Sequence, residues 1–123
     1  MKEITANIFS LIEKFKLINS YWEPKIVGEL NGQFIKLAKF KGEFIWHQHD
    51  NEDELFFVIK GELKIKLEDR ELMLREGDLA IIPRCTQHLP IAENEVHVLL
   101  FEPKSTINTG EVTNEFTVEG KWI

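Results

Sequence analysis

The chain has 123 residues, 21 acidic against 15 basic for a formal charge of −6, with 43% apolar and 29% charged side chains. That length supports one hydrophobic core and hardly two, and the composition is that of a folded globular domain, not of a disordered segment. The acidic balance argues against non-specific binding of nucleic acid, which needs a basic surface to displace counterions.

The opening "MKEITANIFSLIEKF" lacks a continuous apolar stretch and a small-residue cleavage site, and no apolar window of about 18 residues occurs anywhere, so neither secretion nor a membrane partner is expected. A lone cysteine, Cys85, cannot close an intramolecular disulfide, which suits a reducing, cytoplasmic setting. Ile8, Leu11, Ile12 and Phe15 recur at helical spacing, with Thr5 or Asn7 available as a cap. A short amphipathic helix over about 6–17 is expected.

From "YWEPKIV" onward the pattern changes to short apolar or alternating runs broken by "LNGQ", "KGE", "LEDRE" and "REGD". The strand candidates are "QFIKLAKF", "EFIWHQH", "ELFFVIK", "ELKIKLE", "ELML", "LAIIP", "QHLPIA" and "EVHVLLFE". Roughly eight strands at this spacing predict an all-β sandwich or barrel, with its core over about 22–101, inside a single domain spanning 1–123. The tail, 103–123, is polar and rich in Thr and Asn and predicts loop with at most one edge strand.

Chemistry concentrates at 42–61, "GEFIWHQHDNEDELFFVIKG". On a strand, Ile45, His47 and His49 point to one face and Phe44, Trp46 and Gln48 to the other. Glu54 shares a face with Phe56 and Val58, so it opens a strand whose inner side is otherwise apolar. A carboxylate buried there without a partner costs several kcal/mol or stays protonated; a divalent cation shared with the two imidazoles removes that cost. The competing reading, surface histidines beside a solvated acidic loop, is not excluded by these residues alone.

Downstream, "GDLAIIPRCTQH" sets Gly77, Pro83 and His88 in a Gly-x5-Pro-x4-His pattern. Together the two stretches resemble the cupin superfamily, whose first motif is Gly-x5-His-x-His-x3–4-Glu-x6-Gly and whose second is Gly-x5-Pro-x-Gly-x2-His-x3-Asn. His47, His49, Glu54 and Gly61 match the first and Gly77, Pro83 and His88 the second. Three positions depart from the pattern. Gly42 is separated from His47 by four residues instead of five, Cys85 replaces a glycine, and Ala92 replaces the asparagine. A cysteine at the glycine position predicts a turn that does without positive φ.

The resemblance implies a small double-stranded β-helix, or jelly roll, holding one divalent transition ion (Fe, Mn, Ni, Co or Zn) on His47, His49, Glu54 and His88. Glu54 is preferred to Asp53 as the carboxylate, from its spacing to Gly61 and its phase with Phe56 and Val58. Ile45, Phe56 and Val58 would shape a substrate pocket; His97 is a further lining candidate, or else a core or edge histidine. Leu55, Phe57 and Ile59 leave the same strand apolar on its other side too, and cover by the N-terminal helix or by a homodimer partner is expected. Similarity to the cupin domains of mannose-6-phosphate isomerase-like proteins implies a metal-dependent isomerase or dioxygenase acting on a small polar metabolite (a sugar, a keto or hydroxy acid, or a catechol-like compound). The alternative is a non-catalytic, metal-dependent binding or sensor module.

Overall fold

A computed structural model describes residues 6–123. After helix α1 (Leu11–Phe15) come eight strands: β1 (Lys25–Leu30), β2 (Gln33–Glu43), β3 (Glu54–Lys60), β4 (Leu63–Leu67), β5 (Glu71–Leu74), β6 (Leu79–Ile82), β7 (His88–Pro103) and β8 (Lys121–Trp122). No helix among the described residues is long and apolar enough to cross a membrane.

The organising element is β7. From Ile91 to Pro103 it pairs antiparallel with β2 across one register shift, while its first part (His88 to Ile91) pairs with β4 and its second (His97 to Phe101) also with β3. β5 extends the sheet beyond β4, and β6 beyond β3. One strand thus joins two sets of neighbours, and the sheet closes around the side chains that β7 turns inward: Val96, Val98 and Leu100, packed with Phe56, Val58, Leu63 and Ile65. Val58, Leu63, Ile65, Val96 and Val98 are fully buried, and burying each such side chain contributes about 1.5–3 kcal/mol relative to exposure. The chain is therefore the all-β barrel that its motifs imply. At Gly61, which closes the first motif, φ is +94° and an added Cβ would lie 3.0 Å from the Glu95 carbonyl, so glycine is required both by the turn and by the close passage of β7.

Several expected boundaries differ. The runs "QHLPIA" and "EVHVLLFE" form one strand, because a register shift between Phe40 and Gly42 absorbs the exposed residues between them without breaking the ladder. Conversely, "EFIWHQH" is not a regular strand: beyond the end of β2 it touches β7 through a single His47–His88 bridge. The helix spans one turn and a half, not 6–17, because Ser10 caps it, its Oγ accepting from the Glu13 N–H at 3.3 Å. Of the two expected caps, Asn7 lies before this start, and Thr5 lies outside the described residues. Ile8 and Ile12 are 97% and 70% exposed; the buried face consists of Leu11, Phe15 and Ile18, set against Val27, Leu37, Ile59 and Leu99 on the outside of the barrel. The expected edge strand of the tail is β8, parallel to β1.

Candidate metal centre

His47 and His49 reach the barrel interior from the irregular stretch before β3, Glu54 from the first residue of β3, and His88 from the first residue of β7. All four are buried, and one ligand atom from each lies within 4.8 Å of all the others. An ion with bonds near 2.1 Å spaces its ligand atoms roughly 3–4.2 Å apart, so the cluster surrounds a volume of the right size. Glu54 Oε1 stands 3.2 Å from His49 Nε2 and 3.3 Å from His88 Nε2.

The hydrogen bonds around the cluster fix which nitrogen faces inward. His47 Nδ1 meets the Ile45 carbonyl at 2.9 Å, and His88 Nδ1 meets the Thr86 carbonyl at 2.8 Å. A carbonyl only accepts, so each Nδ1 carries a proton and each Nε2 is turned towards the centre, that of His88 into hydrogen-bond contact with Glu54 Oε1 at 3.3 Å, the arrangement that orients metal-binding imidazoles. His49 is buried with no partner at Nδ1, and its Nε2 lies 3.2 Å from Glu54 Oε1, an ion-pair distance. Three buried imidazoles crowded round one buried carboxylate turn lone pairs and negative charge towards the same point, which a cation at the centre satisfies. Three imidazole nitrogens and one carboxylate oxygen form a borderline donor set suited to first-row transition ions.

Electrostatics follow from the same crowding. Burial, aided by the neighbouring His88, lowers the His47 pKa to about 4. Burial also opposes charge on His49, yet the adjacent Glu54 carboxylate, with Glu102 and Glu52 beyond it, raises its pKa. Glu54 itself is pulled below the usual carboxylate range by His49 and His88, against the effect of burial. Glu102 behaves oppositely: burial first, then the Glu54 charge, push it up to about 8 against the pull of Lys36.

A cavity opens beside His47 and Glu54. Its apolar wall is Trp22, Pro24, Phe40, Phe44, Phe56, Pro90 and Leu100, and Glu102 and Asn108 complete the lining. It offers about 20 Å³ to the centre of a water-sized occupant, little more than one such occupant needs. Asn108 comes from the tail, where its side chain bonds the Phe116 carbonyl and the Val118 N–H at 2.8 and 3.1 Å.

Of the pocket residues expected from sequence, Phe56 lines this cavity. Val58 points inward but is packed into the core beyond it, and Ile45 is half-buried at the core's edge. Phe44 takes the place expected for Ile45, because strict alternation fails where the backbone is not a strand. His97 does not line the cavity: it faces outward, stacked on Phe15 at 4.5 Å and bonded to Glu95 at 2.8 Å. Asp53 is exposed and holds Arg84 through its backbone N–H and guanidinium, leaving Glu54 as the interior carboxylate.

The Cys85 expectation is overturned. Its φ is +63°, so the turn keeps the left-handed conformation without glycine, at a cost of about 1–2 kcal/mol. The Cys85 N–H donates to the His49 carbonyl at 2.8 Å and holds the turn there; the thiol is exposed. Sequence reasoning missed Trp22, Phe44, Lys36, Glu102 and Asn108. For Lys36 and Glu102 a signal existed, since each continues the inward phase of an apolar strand; Asn108 lies in aperiodic loop and gave none.

A small antiparallel barrel with three histidines and a glutamate converging inside it defines the class of protein. Residues 34–102 match the Cupin domain family, and the chain belongs to that family. It is 43% identical over 63 residues to the uncharacterized protein YdbB of Bacillus subtilis (strain 168), a match spanning 50% of this chain and 56% of that protein, so the aligned region covers little more than half of that relative. Among solved structures it is similar to a cupin-2 domain containing protein from Shewanella frigidimarina (36% identity, TM-score 0.77, 78% of this chain and 94% of that one). Protein NMB1881 from Neisseria meningitidis is also similar (28% identity, TM-score 0.73, 79% and 99%).

Proposed function

We propose that this cupin is a metal-dependent, cytoplasmic domain acting on a small molecule, with one divalent transition ion (Fe, Mn, Ni, Co or Zn) held by His47, His49, Glu54 and His88. The carrying observation is the buried cluster itself: one ligand atom from each of the three imidazoles and the Glu54 carboxylate lies within 4.8 Å of all the others, and His47 and His88 are held through Nδ1 so that Nε2 turns towards the same point. A bound ion supplies Lewis-acid polarisation, or activation of water or oxygen, to isomerase or dioxygenase chemistry.

The protein's own residues set the rest of the reaction's surroundings. Phe44, Phe56 and Trp22 exclude bulk water from the side where His47 and Glu54 meet the cavity. Asn108, carried by the tail segment, forms part of the cavity wall. A homodimer partner on the exposed apolar face of β3 and β6 completes the proposal.

Elemental analysis of protein purified without an affinity tag, beside His49→Ala, tests the centre. One equivalent of transition metal in the wild type and loss in the variant are expected. Less than about a tenth of an equivalent in both after reconstitution sinks the site. The small volume of the cavity favours a second reading, a non-catalytic binding or sensor module; thermal shifts with metabolites but no turnover would select it.

A further inference from the structure

The stretch that carries His47 and His49 lies outside the regular strands, and its ladder to β7 is one bridge, between His47 and His88. One bridge fixes a point but not the rotation of the chain on either side of it, and that rotation sets where the ligand rings point. His47 and His88 have side-chain anchors, through Nδ1 to the carbonyls of Ile45 and Thr86. His49 has none at Nδ1, so its ring follows its backbone.

Two glutamines supply the missing ties. Gln48 lies between the two histidines, Gln87 immediately precedes His88, and both are half-buried. Gln87 Nε2 donates to Gln48 Oε1 at 2.9 Å, and Gln48 Nε2 donates to Asp50 Oδ1 at 2.6 Å. A carboxylate only accepts, so Asp50 takes the Gln48 amide nitrogen and turns the amide oxygen towards Gln87. On the backbone, the Cys85 N–H donates to the His49 carbonyl at 2.8 Å and the Glu111 N–H to the Gln48 carbonyl at 3.2 Å. Each residue from 47 to 49 is thus tied to a distant segment: His47 to His88, Gln48 to Gln87 and the tail, and His49 to Cys85.

Gln48 and Gln87 fall at positions that the two motifs leave open, so neither is a ligand nor a fixed part of the pattern. We propose that they are positioning residues for the metal centre: their side-chain clasp fixes the two ligand-bearing stretches relative to one another, and through them the aim of His49 and His88. This deepens the metal-centre reading and rests on it. The pair is uncharged, so it acts on a bound ion through the geometry of the ligands and not through its own field.

The test measures the zinc Kd by competition with a chromophoric chelator, beside visible spectra of the cobalt-loaded protein. Four forms are compared: wild type, Gln48→Met, Gln87→Met and the double variant. Methionine keeps the length of glutamine and removes its hydrogen bonds without changing the charge. Each single variant is expected to raise the Kd about tenfold and to shift the cobalt bands, with far-UV circular dichroism as in wild type. The double variant is expected to match Gln48→Met, because one substitution already breaks the clasp. Wild-type Kd and cobalt bands in both single variants, or effects that multiply in the double variant, overturn the proposal. Should wild type hold neither ion, the metal-centre reading fails by itself. Amide exchange of metal-free Gln87→Met then decides the clasp: faster exchange at His47, Cys85 and His88 supports it, and unchanged exchange overturns it.

Discussion

His47 and His88 hold each other by their backbones: the His88 N–H donates to the His47 carbonyl at 2.9 Å and the His47 N–H to the His88 carbonyl at 3.1 Å. Backbone bonds do not depend on the side chains, so they position two of the four imidazole-carboxylate donors before any cation is present. The inner face of the centre is thereby preorganised, which lowers the ordering cost of binding an ion.

Preorganisation makes a specific thermal prediction. Zinc or manganese at a hundredfold excess over its Kd stabilises a site present only in the folded protein by about 2.7 kcal/mol. Differential scanning calorimetry is expected to show a rise in the Tm of wild type and none for His49→Ala. Metal-free His49→Ala is also expected to melt below metal-free wild type, because the variant leaves the buried Glu54 carboxylate without the imidazole 3.2 Å away. A metal-induced rise in the Tm of His49→Ala equal to that of wild type would show that His49 does not serve the centre.

The His47 pKa fixes a pH dependence. The group lies near 4 in the folded, metal-free protein and near 6.5 when unfolded, so between these values the unfolded chain binds the extra proton. Its contribution to stability is fully present above about pH 6.5 and is lost progressively as pH falls towards 4. Urea denaturation of metal-free protein at several pH values should show wild type losing more stability than His47→Gln across this window. Nitrogen chemical shifts of the His47 ring should report a neutral imidazole at pH 5.5; a protonated ring there would refute the assignment.

Much of this arrangement is legible in the sequence, and its limits are physical. Alternation places Phe56 and Val58 on one face of β3 and Leu63 and Ile65 on one face of β4, because a period of two is a property of the strand backbone. It does not say which face is inside: His97 shares a phase with Leu99 and Phe101, and that phase is the outer one, beneath Phe15. Nor does it apply at Phe44, where the chain has left β2 after Gly42 (φ +86°) and turns a different side chain inward. His47, His49, Glu54 and His88 are readable because their spacing is a motif. The cavity's outer wall is not, because Asn108 is positioned by hydrogen bonds within a loop that has no hydrophobic period.

That loop supplies the next prediction. Thr109 is fully buried and its hydroxyl lies 2.6 Å from the Val112 carbonyl, while the Glu111 N–H donates to the Gln48 carbonyl at 3.2 Å. Between them Gly110 adopts φ +62°, and any Cβ there would collide with the Gln48 backbone carbonyl. Gly110→Val adds left-handed strain to that collision, for a loss of about 1–3 kcal/mol. Amide hydrogen exchange over 106–118 should accelerate while the β7 amides stay protected, and a chelator should strip bound metal faster than from wild type. Unchanged exchange in that segment would show that it does not close the barrel.

The last prediction concerns the outer face of β3. Leu55 lies opposite both Ile81 and Phe101, and Phe57 opposite both Leu79 and Leu99. Helix α1 and the turn after it cover the Leu99 and Ile59 side through Phe15 and Ile18, but Leu79 and Ile81 remain 54% and 60% exposed. Contiguous apolar surface of this kind on a sheet is characteristic of an association site, and a second copy of the chain, presenting the same face, satisfies it by two-fold symmetry. Sedimentation equilibrium at micromolar concentration is therefore expected to give twice the 14.4 kDa chain mass. Leu79→Lys/Ile81→Lys should return it to the chain mass with the barrel's circular dichroism intact, because both side chains point away from the core. A wild-type mass of 14.4 kDa would count against the dimer and leave α1 as the cover for this side of the barrel.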